Sequence, residues 1–181
     1  MAGRVTIFRH PFHEDRRDSR TLLLRAASAH TGRAPEELGP VTVNQWGKPS
    51  LSGVECSVTH SGSWWLCAFG GGPLGLDLQV HRAQADLERL SRRFFHPRED
   101  GWLAQAGYGR FFDLWCAKES WVKYTGTGFH QDPGTFSVVS EDGRFPAMDG
   151  VEFRLLPFGP GYSLCLCAKH LGEVSFRILP D

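Results

Sequence analysis

In Leu74-Gly75-Leu76-Asp77-Leu78-Gln79-Val80 apolar residues hold positions 74, 76, 78 and 80, with Gly75, Asp77 and Gln79 between them. Strict alternation is the pattern of a strand with one buried face. It therefore predicts a strand that presents Asp77 and Gln79 as oxygens on the same side. Two positions along a strand lie roughly 6 to 7 Å apart, so both side chains can approach one hard cation, directly or through water. The plainer alternative is an acidic residue solvated on a sheet edge.

Outward from this segment, short β-like runs separated by turn residues occupy 41–45, 55–60 and 64–69. With 74–80 they read as strands of one antiparallel sheet. Helical spacing of Leu22, Leu23, Ala26 and Ala29 predicts a helix over 14–30, stopped near Thr31-Gly32. Further helices are expected over 85–95, from Pro97 with Glu99 near its third position, and over 111–124. Strands are expected again at 135–139, 151–156, 162–169 and 174–179. Gly62-Ser63-Trp64-Trp65-Leu66-Cys67-Ala68 is weakly similar to Gly161-Tyr162-Ser163-Leu164-Cys165-Leu166-Cys167-Ala168. The pattern predicts an α+β protein of two similar halves, 1–80 and 81–181. Each half is a small antiparallel sheet packed by helices, and a ligand site lies between them.

The 181 residues carry 20 Lys+Arg against 20 Asp+Glu. A neutral chain has no overall field to drive nonspecific nucleic-acid or anionic-membrane binding. Its longest wholly apolar run, 64–69, is far too short to span a bilayer. The five cysteines (Cys56, Cys67, Cys116, Cys165 and Cys167) form no C-x-x-C pair and read as buried thiols in a reducing compartment. Arg4, Arg9 and His10 lie near the start, with no apolar segment leading to a small-residue cleavage site, so no secretory signal is expected and the expected location is cytoplasmic. Residues 1–33 hold seven arginines against Glu14, Asp15 and Asp18, either a solvated helix face or an anion-binding surface.

In the helix expected over 111–124, Trp115, Glu119 and Lys123 lie four residues apart on one stripe. A Glu–Lys pair at this spacing is ordinarily a surface ion pair. The large aromatic on the same stripe argues against full exposure.

Taken in order, Gly47-Lys48-Pro49, Ser57-Val58-Thr59-His60-Ser61, Gly75-Leu76-Asp77-Leu78-Gln79, and Trp115-x-x-Lys118-Glu119-x-x-x-Lys123 with Gly126 and Gly128 resemble the 4′-phosphopantetheinyl transferases of the larger, pseudo-dimeric Sfp type. The resemblance runs from about Phe12 to Lys169, and the chain is short at its N-terminus for that type. It implies two halves related by a pseudo-two-fold within a monomer. The implied reaction transfers the phosphopantetheine arm of coenzyme A to a serine of an apo acyl or peptidyl carrier protein, as in fatty-acid, polyketide or non-ribosomal peptide synthesis. Adenosine 3′,5′-bisphosphate leaves.

The resemblance further implies magnesium held by Asp77 and Glu119, with Gln79 a third candidate ligand. Glu119 would help deprotonate the carrier serine, and Lys123 would neutralise or protonate the leaving phosphate. Arg16, Arg17, Lys48, Thr59 and His60 are the implied contacts to the coenzyme, its 3′-phosphate above all. Glu99 matches a family glutamate near the coenzyme, yet equally suits a helix cap. His60 could instead be a turn residue, and Lys48 a hairpin lysine. The family commonly has a glutamate at the position of Gln79, so the metal-free site here carries one negative charge fewer. This predicts weaker magnesium binding without coenzyme A. The rival readings are a coenzyme A-binding module without transfer activity and a metal-dependent phosphohydrolase.

Overall fold

The computed structural model describes residues 3–12, 18–83, 86–128 and 132–180. The chain forms β1 (Gly3–Pro11), α1 (Ser19–Thr31), α2 (Pro35–Leu38), β2 (Thr42–Val43), β3 (Pro49–Ser50), β4 (Glu55–Ser61), β5 (Trp64–Gly70) and β6 (Leu74–Val80). α3 (Leu87–Phe94), α4 (Pro97–Gln105), α5 (Phe111–Thr125), β7 (Glu152–Leu155), β8 (Tyr162–Ala168) and β9 (Leu171–Ile178) follow. The fold is α+β, with small sheets packed by helices.

The strands expected to make one sheet divide among three. A four-stranded sheet has the order β4-β5-β1-β9, a three-stranded sheet the order β6-β8-β7, and β2 pairs with β3 alone. All pairings are antiparallel except β1 with β9. The sheets are not sorted by chain half: β6 pairs with β8, and β9 returns to lie beside β1. The strand expected over 135–139 is absent. A 3-10 turn at Pro133–Thr135 opens this region, and the Val138 N–H donates to a Glu99 carboxylate oxygen at 2.8 Å instead of joining a ladder.

The two main sheets pack face to face. Val5, Ile7, Leu66 and Ala68 of the first meet Leu74, Leu76, Leu78, Leu164 and Leu166 of the second. The outer face of the first sheet packs Phe8, Cys67 and Phe69 against Leu22, Leu23, Ala26 and Ala27 of α1. Beyond the second sheet, Leu103, Phe111, Leu114 and Ala117 of α4 and α5 form a third cluster with Cys165. Helices therefore cover both outer faces of a double sheet. All five cysteines are buried free thiols.

A row of hydroxyls joins the sheets where β4 meets the free edge of β6. Ser57 Oγ, Thr59 Oγ1 and Ser61 Oγ accept hydrogen bonds from the backbone N–H groups of Leu76, Leu78 and Val80 at 2.9, 3.1 and 3.0 Å. These N–H groups alternate with those that pair toward β8, so side chains from the neighbouring sheet satisfy the edge.

Candidate active site

α5 lies across β6 because Gly75 lets it. A Cβ at Gly75 would fall 1.8 Å from the Ser120 carbonyl oxygen and 2.5 Å from the Tyr124 nitrogen, so only glycine permits this approach. The helix ends at Gly126, which adopts φ 71° and donates its N–H to Val122 O. With strand and helix in register, Asp77 meets the stripe carrying Glu119 and Lys123.

Lys123 Nζ lies 2.7 Å from Asp77 Oδ1, which also accepts a 3.3 Å hydrogen bond from Thr59 Oγ1. Asp77 is only 6% exposed, and its buried Oδ2 has no hydrogen-bond partner among the described residues. A buried carboxylate oxygen without a donor is costly unless a cation or ligand completes it. The Glu119 carboxyl is pushed up to about 7, first by burial, then by the negative charge of Asp77, with Lys123 opposing. Two adjacent carboxylates, one with an orphaned oxygen and one resisting ionisation, fit a divalent cation. Asp77 and Glu119 would hold it. Among the described residues no cluster of three or more His, Cys, Asp or Glu side chains is present, so the remaining oxygens of an octahedral ion would have to come from other groups.

A cavity of about 150 Å³ opens beside these groups, lined by Trp46, Lys48, Ser57, Glu119, Lys123 and Gly128 among others. The β2–β3 hairpin delivers Lys48, whose Nζ donates to the carbonyls of Lys123 at 2.7 Å and Leu74 at 3.4 Å. Burial lowers the Lys48 ammonium pKa, with Glu55 opposing. This cation is half-withdrawn at the cavity wall and anchored to both elements that build the site.

The structure thus brings together Asp77, Glu119, Lys123 and Thr59, with Lys48 alongside. Gln79 follows on the same strand face, its Nε2 donating to Val80 O at 3.1 Å. His60 alternates away from Thr59 and packs its ring against Phe12 at 4.9 Å. Arg16 and Arg17 lie outside the described residues. Glu99 is closed to a ligand, being 0% exposed with both oxygens in use. It caps α4 by accepting from His96 N and pairs with Lys118 Nζ at 2.6 Å, so the capping alternative describes it. Trp115 leaves the stripe for an aromatic cluster with Phe94, Phe95 and Phe111.

An α/β/β/α arrangement sets a carboxylate pair and a lysine at the strand–helix crossing, beside a cavity. Residues 73–174 match the family model of the 4′-phosphopantetheinyl transferase superfamily. The chain is 31% identical over 165 residues to a 4′-phosphopantetheinyl transferase of Bacillus subtilis, covering 82% of this chain and 71% of that protein. It is 30% identical over 149 residues to 4′-phosphopantetheinyl transferase Sfp of Bacillus subtilis, covering 71% and 62%. Similarity to 4′-phosphopantetheinyl transferase HetI of Nostoc sp. is 38% over 93 residues, covering 45% and 39%. The chain belongs to the 4′-phosphopantetheinyl transferase superfamily, and it spans less than two thirds of the length of the last two relatives. No helix among the described residues is long and apolar enough to cross a membrane.

Proposed function

We propose that the protein transfers the 4′-phosphopantetheine arm of coenzyme A to a serine of an apo acyl or peptidyl carrier protein, releasing adenosine 3′,5′-bisphosphate, with magnesium as cofactor. The observation that carries this reading is the cluster of Asp77, Glu119 and Lys123, with its orphaned oxygen and its carboxyl poised at about 7.

In this reaction the serine oxygen bonds to the β-phosphorus of coenzyme A while the bridging P–O bond to the nucleotide breaks. Glu119, beside Asp77 at the cavity, would take the serine proton. Lys123, which stands over Asp77, would offer its charge to the leaving phosphate. Lys48, anchored at the cavity wall, offers a cation to the nucleotide phosphates. Magnesium, when bound to Asp77 and Glu119, supplies positive charge to the pyrophosphate oxygens.

The test is intact-protein mass spectrometry of an apo carrier protein incubated with coenzyme A and magnesium. Gain of one phosphopantetheine arm with the wild type, and none with Asp77→Ala or Glu119→Ala, supports the reading. Binding of coenzyme A with no transfer to any carrier class would instead make the protein a binding module, with Gln79 the first position to restore to glutamate.

A further inference from the structure

The face of β6 that α5 crosses has a far end that the residues above leave unused. α5 runs antiparallel to β6: Ser120 and Tyr124 lie over Gly75, Lys123 reaches Asp77, and at the opposite end the Phe112 ring stacks on His81 at 4.8 Å and 12°. Lys48, tied to Leu74 O and Lys123 O, marks the near end. The order along β6 and α5 is therefore Lys48, then the Asp77–Glu119–Lys123 cluster, then His81.

His81 follows directly on β6, and its side chain is exposed yet restrained from three directions. Its backbone N–H donates to Gly161 O at 2.7 Å, its ring lies flat on Phe112, and its Nε2 is 2.9 Å from Ser163 Oγ. Ser163 is only 4% exposed, and its hydroxyl donates to Asp113 Oδ1 at 2.7 Å. Asp113 Oδ2 in turn accepts from Arg110 Nε at 3.2 Å.

This chain of donors fixes a tautomer. A serine hydroxyl has one hydrogen, and that of Ser163 is committed to Asp113, so the bond to His81 must use Nε2–H as donor. A neutral His81 then presents a bare Nδ1, an acceptor with no hydrogen bond among the described residues. Immobilising an exposed ring costs side-chain entropy. A buried serine–carboxylate pair that orients one imidazole nitrogen toward open space is the support a ligand-binding group needs.

We infer that His81 binds the pantetheine arm of coenzyme A, Nδ1 accepting a hydrogen bond from an amide N–H of the arm, with Ser163 and Asp113 as positioning residues that hold the tautomer. The inference rests on the transferase reading, which places the phosphates at Asp77 and the nucleotide toward Lys48, so that the arm must extend away from both. Four strand residues put His81 roughly 13 Å beyond Asp77, along the course of an arm that carries amide groups before its thiol.

The test compares two ligands that differ only by the pantetheine arm. Dissociation constants for coenzyme A and for adenosine 3′-phosphate 5′-diphosphate are measured by calorimetry on the full chain with magnesium, for wild type, His81→Ala and Ser163→Ala. His81→Ala is expected to weaken coenzyme A by about tenfold and the nucleotide by less than about twofold, the order set by one hydrogen bond. Ser163→Ala shifts the same ligand in the same direction by less, and ¹⁵N NMR shows His81 passing from the Nε2–H form to a mixture. Unchanged coenzyme A binding in His81→Ala, equal weakening of both ligands, or an Nδ1–H tautomer in the wild type would overturn the inference. Wild-type protein that bound neither ligand would overturn the transferase reading, and this inference with it.

Discussion

Two lysines of α5, Lys118 and Lys123, each pair with a carboxylate, yet they do opposite things. Lys118 is 3% exposed and Glu99 0%. Every oxygen of Glu99 has a donor: Lys118 Nζ and His96 N on Oε2, and Val138 N on Oε1. Lys118 also donates to Phe136 O at 2.7 Å and sits 4.1 Å from the centre of the Phe136 ring. Lys123 is 28% exposed, and its partner Asp77 keeps one buried oxygen without a donor. The first pair is finished and binds α4, α5 and the segment after Pro133 together. The second is unfinished, and an unfinished buried pair is where a ligand can gain most.

The contrast breaks furthest at Asp77. Asp77→Ala is expected to lower the rate of carrier modification by about 10³-fold, while the urea midpoint moves little because Lys123 can turn to solvent. A fall of less than about tenfold would mean that the second pair is as structural as the first. Next comes Lys118→Met, which strands the Glu99 charge in the interior and should cost about 3 to 5 kcal/mol of stability in urea unfolding. Adding Glu99→Gln, which removes the stranded charge and keeps an oxygen for Val138, should recover more than half of that loss.

A pH titration sharpens the comparison further. The folded Glu119 carboxyl titrates at about 7 against an ordinary 4.5, so between these values the folded protein holds a proton that the unfolded chain releases. Its contribution to metal-free stability is full below pH 4.5 and is lost as pH rises through 7, by at most about 3 kcal/mol. Thermal melts of Glu119→Gln should lack this slope, and magnesium should restore wild-type stability at the alkaline end. The smallest effect is expected for Gln79→Glu: one added charge should lower the magnesium concentration for half-maximal turnover by about tenfold. An unchanged magnesium requirement would show that Gln79 takes no part in the metal site.

Local pattern made parts of the molecule legible. The alternation of 74–80 placed Asp77 on the face that α5 covers, the four-residue spacing placed Glu119 and Lys123 together, and Pro97 with Glu99 marked the start of α4. β1 was not legible. Its central residues Val5, Thr6, Ile7 and Phe8 are buried on both faces, between α1 and the second sheet, so no alternation reveals a strand. Its parallel partner β9 comes from the far end of the chain. The exchange of β6 and β9 between the sheets was hidden for the same reason, since pairing partners are set by packing across long separations. Residues 135–139 show the reverse error, β-forming composition whose Val138 N–H was taken by a carboxylate. The His81–Ser163–Asp113 chain carries no sequence signal, because its members come from three separate segments.

The hydroxyl row of Ser57, Thr59 and Ser61 grips backbone N–H groups of β6 and touches one of its side chains, Asp77, through Thr59. A junction built mainly on backbone is nearly blind to which side chains β6 displays. The residue at 79 can therefore be exchanged, amide for charge, without loosening the two sheets from each other. The variable chemistry rides on one strand while the neighbouring strand supplies the attachment. A lineage could retune the site one residue at a time and keep its scaffold at every step.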